Sequence, residues 1–117
     1  MTKIIYKYPL TITREQLVTL PAGAEILTVQ LQGGRPHLWA LVNIDNEPLN
    51  RCIEIFGTGE RIEYGLGMRR KYISTFQLQH GKLIFHAFEY IGINSIDNQP
   101  DGPVDNSGDN LRQETTQ

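Results

Sequence analysis

Gly57, Gly59, Gly65 and Gly67 interrupt the segment FGTGERIEYGLGMRRK, residues 56–71, which ends in Arg69, Arg70 and Lys71. Glycine admits positive φ and lets a backbone come close to a ligand. Neighbouring arginines can grip a phosphate through paired N–H donors, and lysine adds a compact point charge. The spacing therefore allows an anion-binding loop. Gly57, Thr58 and Gly59 would present backbone N–H groups, Arg61, Arg69, Arg70 and Lys71 would supply cations, and Tyr64 a ring for stacking. Trp39, the single tryptophan, is a second candidate for stacking, although its place in the most apolar strand suits core packing too.

The plainer reading of the same segment is a long hairpin connection with glycine bulges and solvated charges. Its length favours function, because about a dozen loop residues exceed the usual hairpin range. It fits no phosphate-loop consensus: a P-loop has four residues between its glycines, then Gly-Lys-Ser/Thr opening a helix. Gly57-Thr58-Gly59 lacks the next glycine, and Gly65-Leu66-Gly67 runs into Met68 and Arg69.

Other chemistry is thinner. His37, His80 and His86 show no metal-ligand spacing, so no metal or other cofactor is expected. His86 reads as a core or oligomer-face histidine, His80 as a turn residue, and His37 as a neighbour of Trp39 on one strand face. Glu54, Glu60, Glu63 and Glu89 could supply a carboxylate pair, but Glu54 and Glu89 read as surface residues of strands. Ser74, Ser95 and Ser107 have no triad context. No catalytic residue is assigned, and binding without turnover is the expectation.

The elements that must position these groups are strands. Ile4–Tyr8 alternates until Pro9 ends it or sends it to an edge. Thr13–Gln16 could start a helical turn, but 16–20 reads as well as a strand, before the Pro21–Ala24 turn. In 25–32, Leu27, Val29 and Leu31 oppose Ile26, Thr28, Gln30 and Gln32. Gly33-Gly34 closes a hairpin into 36–42, and Asp45–Pro48 is a polar turn. Strands at 51–56, 71–79 and 82–90 follow, the last two joined at His80-Gly81. The expectation is all-β, a small antiparallel sandwich or barrel of about seven strands.

At 117 residues with 39% hydrophobic content the chain has room for one core. Residues 1–91 hold ten Lys and Arg against eight Asp and Glu, whereas 92–117 hold one Arg against five acids. A single β domain over 1–92 and a disordered acidic tail over 93–117 follow. So slight a basic excess argues against general nucleic-acid binding. One cysteine, Cys52, permits no intrachain disulfide and reads as a half-buried small hydrophobe. Without a signal peptide or a spanning segment, the expected place is the cytoplasm and no membrane partner is expected. Open sheet edges and more rings than one small core needs point to a homo-oligomer.

The blocks IIYKYPLTIT, PAGAEILTVQLQGGRPHLWALV, IEIFGTG and YISTFQL with GKLIFHAFEY resemble, in order, a family of small and mostly uncharacterised tailed-bacteriophage β proteins. The resemblance spans residues 3–90 and omits the acidic tail. It implies a group that includes anti-CBASS sponges, which bind cyclic-nucleotide immune signals without cleaving them. The expected function is thus sequestration of a small anionic ligand, a cyclic nucleotide, to evade host defence. Trp39, Thr58, Arg61, Tyr64, Arg69, Arg70 and Lys71 suit that role by their own chemistry. The rival expectation is a protein-binding module, either an inhibitor of a host or defence protein or a minor virion component.

Overall fold

Period-2 alternation resolves into seven strands and no helix in the computed structural model, which describes residues 2–93. They are β1 (Ile4–Pro9), β2 (Glu15–Pro21), β3 (Glu25–Gln32), β4 (Arg35–Val42), β5 (Pro48–Gly57), β6 (Met68–Leu78) and β7 (Leu83–Ile93). The stretch open to a helical turn at Thr13–Gln16 is instead a bend leading into β2. Among the described residues no helix is long and apolar enough to cross a membrane. The acidic tail expected over 93–117 lies outside the described residues, apart from Ile93 at the end of β7.

The strands form two antiparallel sheets, ordered β1-β4-β3 and β2-β5-β7-β6. The chain thus changes sheet after β1, after β2 and after β4. One core draws on both: Val29, Leu38, Ala40 and Val42 from the first meet Val18, Leu20, Ile53, Ile55, Phe76 and Ala87 from the second. Two separate sheets sharing one core make this a sandwich rather than a closed barrel. Two units are distinguished, residues 1–62 with 70–91, which carry this core and all of both sheets but the start of β6 and the end of β7, and a second that includes residues 63–69.

Turn chemistry follows the residues. Gly33 and Gly34 both take positive φ, 59° and 78°, as the tight β3–β4 hairpin requires. The β6–β7 turn is wider than the two residues its sequence suggests. Gln79 and His80 adopt positive φ, 53° and 56°, before Gly81 at 85°. Non-glycine residues there carry local strain.

One departure from strict alternation shapes the molecule. The β3–β4 register shifts between Ile26 and Thr28, a bulge that leaves Leu27 out of step. Ile26 therefore packs on the core with Val29 and Leu31, while Leu27 turns outward. Just past the bulge, the Val29 N–H donates to Ser74 Oγ at 2.9 Å, and Thr28 Oγ1 lies 2.9 Å from the same oxygen. Ser74 is buried on β6, so this contact joins the edge of one sheet to the edge of the other.

Candidate functional site

The glycine-rich segment folds around its own acid. Gly57 N–H donates to Glu60 Oε1 at 2.7 Å, Glu60 N–H to Gly57 O at 3.1 Å, and Thr58 N–H to Ile84 O at 3.2 Å. Glu60 also accepts from the Arg14 guanidinium. The Gly57 amide first, and then Arg14, hold the Glu60 carboxyl below its usual range. The position an anion would take at Gly57 is thus occupied by a carboxylate of the chain, which corrects the expected open N–H groups of Gly57 and Thr58. Gly57 and Thr58 border a shallow pocket of about 230 Å³ with Lys82 and Ile84. The Thr58 hydroxyl meets His86 Nε2 at 2.7 Å, and His86 Nδ1 meets Thr75 Oγ1 at 2.9 Å. His86 is therefore a half-buried, doubly hydrogen-bonded ring on the sheet.

The cations expected around this loop part company. Arg61 is exposed beyond Glu60. Tyr64 and Arg69 belong to the 63–69 segment, where Gly65 N–H meets Met68 Sδ at 2.9 Å, Met68 N–H donates to Gly65 O, and Leu66 is almost wholly exposed. Arg70 is committed elsewhere. Its Nε donates to Glu54 Oε1 at 2.6 Å, with a side chain only 5% exposed. The guanidinium also lies 5.8 Å from the Phe56 ring centroid and 5.2 Å from that of Tyr90. Arg70 is thus a structural cation held between rings rather than a phosphate grip, and Glu54 is not the surface carboxylate its strand position suggests. Trp39 lies on the outward face of the other sheet, with Lys7 Nζ 5.8 Å from its ring.

Lys71 is placed differently. It borders a cavity of about 430 Å³ between the start of β3 and β6, inside the size range of small-molecule sites. Gly23 to Leu27 form one wall and Lys71, Tyr72 and Ile73 the other. Arg51 and Glu89 complete the lining. Arg51 donates to Glu89 through Nε at 2.5 Å and a second nitrogen at 3.1 Å, and to Ala24 O at 2.9 Å. This two-pronged contact raises the guanidinium's pKa further, against burial. Glu89 is buried, so it too departs from the surface position expected of it.

The wall residues follow from local chain behaviour. The bulge that turns Leu27 outward puts it at the cavity, and Gly23, with φ of 78°, turns the chain from β2 into β3. Tyr72 is 55% exposed yet oriented: its ring packs edge-on to Phe88 with centroids 5.5 Å apart, and its hydroxyl lies 2.6 Å from Thr75 Oγ1. Phe88 pairs with Glu54 on the outward face, so the Tyr72 ring lies on the other side of the sheet from Arg51 and Glu89. The Lys71 side chain is exposed and forms no hydrogen bond or ion pair with another described side chain, whereas Glu25 pairs with Leu41 on the outer face of the three-stranded sheet.

Sequence reasoning found Lys71, missed Arg51 and took Glu89 for a surface carboxylate. Spacing gave no sign of the pair, since it joins β5 to β7; only the lone Arg51 among apolar positions of β5 hinted at a buried partner. Cys52 is half-buried, and burial, then the carboxylates of Glu15, Glu54 and Glu89, raise its thiol pKa. No group of three or more metal-ligating side chains occurs among the described residues.

No curated protein and no solved structure matches the sequence. The domain of unknown function DUF7352 matches over residues 1–95, which takes in both sheets and the cavity between their edges, and the chain belongs to that family.

Proposed function

We propose that this protein sequesters a small anionic ligand without turning it over, and that the ligand is a cyclic nucleotide immune signal. In this reading the protein is phage-encoded and works as a homo-oligomer in the cytoplasm of an infected bacterium, where holding the signal blunts host defence. The observation that carries it is the cavity between β3 and β6, where Lys71 offers a cation beside the apolar side chains of Ile26 and Ile73. A charge-assisted contact contributes about 1.5–3 kcal/mol. Sub-micromolar capture corresponds to roughly 8 kcal/mol or more. Burial of the ligand's apolar surface against Ile26, Leu27 and Ile73 is therefore needed as well, and a ligand engaging only Lys71 would escape.

Thermal shift against a panel of mono-, cyclic di- and cyclic trinucleotides tests this reading. Native mass spectrometry of protein purified from cells with an active nucleotide-signalling defence complements it. A ligand-sized mass adduct, together with a rise in melting temperature that Lys71→Ala abolishes, supports sequestration. Absence of any shift across the panel sinks it.

A second reading has its own observation. β1 is an edge strand of its sheet, and Ile4, Ile5 and Tyr6 on it are exposed, Ile5 by 57%. Such an edge can accept a strand from another protein chain. Capture of a host protein that is lost on Ile5→Lys, with Lys71→Ala harmless, would favour this protein-binding function.

A further inference from the structure

We infer that the outer face of the three-stranded sheet is where this chain pairs with a second copy of itself, face to face about a two-fold axis, with Glu25 of one copy against Arg35 of the other. The sequestration reading asks for an oligomer but names no face, and this pairing does not depend on its ligand. Register fixes what the face carries. Leu41, Trp39, His37 and Arg35 alternate along β4 with buried residues, so they project away from the core. Ile5 flanks Leu41 from β1, Glu25 flanks it from β3, and Gln32 flanks Arg35. An outer face left to water is ordinarily polar along its strands. Here the middle strand holds the chain's single tryptophan and a leucine, with Ile5, 57% exposed, beside them.

Charge identifies the partner. Among the residues paired in this sheet, Lys7, Glu25 and Arg35 are the charged ones that face outward. Lys7 reaches over the Trp39 ring and donates to Gln32, beside Arg35, so two cations stand at one end of the face. Glu25 stands at the other end, roughly 20 Å away along the strands at about 3.3 Å per residue. Glu25 and Arg35 are both exposed, and neither side chain forms a hydrogen bond or ion pair with another described residue. A complementary surface is apolar in the middle with opposite charges at its two ends, and this face itself has that pattern. Half a turn about an axis lying in the face and crossing the strands lays a second copy on the first with the ends exchanged. Arg35 of the second copy then lies over Leu41, its aliphatic stem covering the leucine and its guanidinium directed at Glu25. Three strands about 4.8 Å apart make a patch at the small end of specific interfaces, so the dimer should dissociate in the micromolar range.

Sedimentation of the full chain over a dilution series, read beside its tryptophan emission, tests the face. Because Trp39 is the single tryptophan, its emission should move to longer wavelength over the same concentrations at which the dimer comes apart. Arg35→Glu and Glu25→Arg each set like charges together twice in a symmetric dimer. Each should weaken it by roughly tenfold or more at low salt. Combining the two reversals restores opposite charges and should recover most of that factor. Both positions are exposed, and melting temperatures taken where every variant is monomeric confirm that they fold.

A wild type that stays monomeric at high micromolar concentration overturns the dimer. Dissociation that leaves the Trp39 emission in place overturns it too, since the copies would then meet through another face. Single reversals that change nothing, or a double variant no tighter than either single one, overturn the Glu25–Arg35 contact and this packing with it. Ligand capture is decided separately by the thermal shift, because Lys71 lies on β6 of the other sheet.

Discussion

Two arginine–glutamate pairs bind the four-stranded sheet together, and their surroundings differ. Arg51 and Glu54 lie three positions apart on β5 and so project to opposite faces. Arg51 reaches Glu89 of β7 on the inward side and borders the cavity, with a side chain 24% exposed. Glu54 reaches Arg70 of β6 on the outward side, where Phe56 and Tyr90 close over the guanidinium. The same two residue types therefore serve different ends. A pair sealed by rings holds strands in place and offers nothing to a ligand. A pair at a cavity wall fixes local charge and leaves a neighbour such as Lys71 with its charge exposed at the cavity.

The sealed pair should be the costlier to break. Arg70→Ala strands the Glu54 carboxylate in an enclosed site and should destabilise by about 3–5 kcal/mol, read by urea unfolding. If that variant fails to fold, Arg70→Met combined with Glu54→Leu keeps the test alive. Removing both charges should restore most of the loss, because an apolar pair of similar volume is often as stable as a buried ion pair. Stability unchanged in Arg70→Ala would show that water reaches Glu54 and would erase the contrast between the two pairs.

Breaking the cavity pair should cost less stability and more function. Arg51→Met leaves Glu89 unpaired but beside a cavity that water can enter, so a loss of about 1–3 kcal/mol is expected. Nucleotide binding should fall too, because an uncompensated Glu89 adds a negative charge to the lining. A loss equal to that of Arg70→Ala would mean the cavity is closed to solvent in solution.

The contrast also explains what the sequence made legible. Strand positions and hairpins were readable because period-2 alternation and Gly33-Gly34 are local signals. The bulge at Leu27 was not, because a register shift depends on β4 and on Ser74 arriving from β6. The cluster Arg69-Arg70-Lys71 reads as one cationic patch. In a strand, however, neighbours point to opposite faces, and a carboxylate sixteen residues back takes Arg70 out of reach. Glu54 and Glu89 looked solvent-facing because burial of a carboxylate depends on a partner from another strand. The glycine loop reads as open either to an anion or to a plain connection for want of knowing that Glu60 folds back onto Gly57.

A smaller effect separates Lys71 from both arginines. Lys71→Ala should leave stability within about 0.5 kcal/mol, as for an exposed residue away from special features. It should weaken nucleotide binding by roughly tenfold or more, the loss of one charge-assisted contact. Calorimetry at two salt concentrations reads both, with the wild-type affinity falling more steeply with salt than that of the variant. An affinity unchanged by Lys71→Ala would move the ligand away from this wall of the cavity.

The least effect is expected at the loop that holds its own anion, and pH exposes it. Glu60 accepts from Gly57 N–H and from Arg14 in the fold, which lowers its folded pKa below the ordinary value of 4.5. In the window between those two values the unfolded chain binds more protons than the folded one, so stability rises with pH there. The contribution of Glu60 is therefore complete above the ordinary carboxylate pKa and fades as pH falls through the lower, folded one. Glu60→Gln should melt slightly earlier than the wild type at pH 7, and the two curves should converge as the solution is taken below the folded pKa. Glu60 is solvent-exposed, so added salt should narrow the pH 7 difference by weakening its attraction to Arg14. A difference that stays constant from pH 7 to the acid limit would mean that Glu60 acts through packing or hydrogen bonding alone. In that case the carboxylate charge would not be what fills the site at Gly57, and an external anion could compete for it.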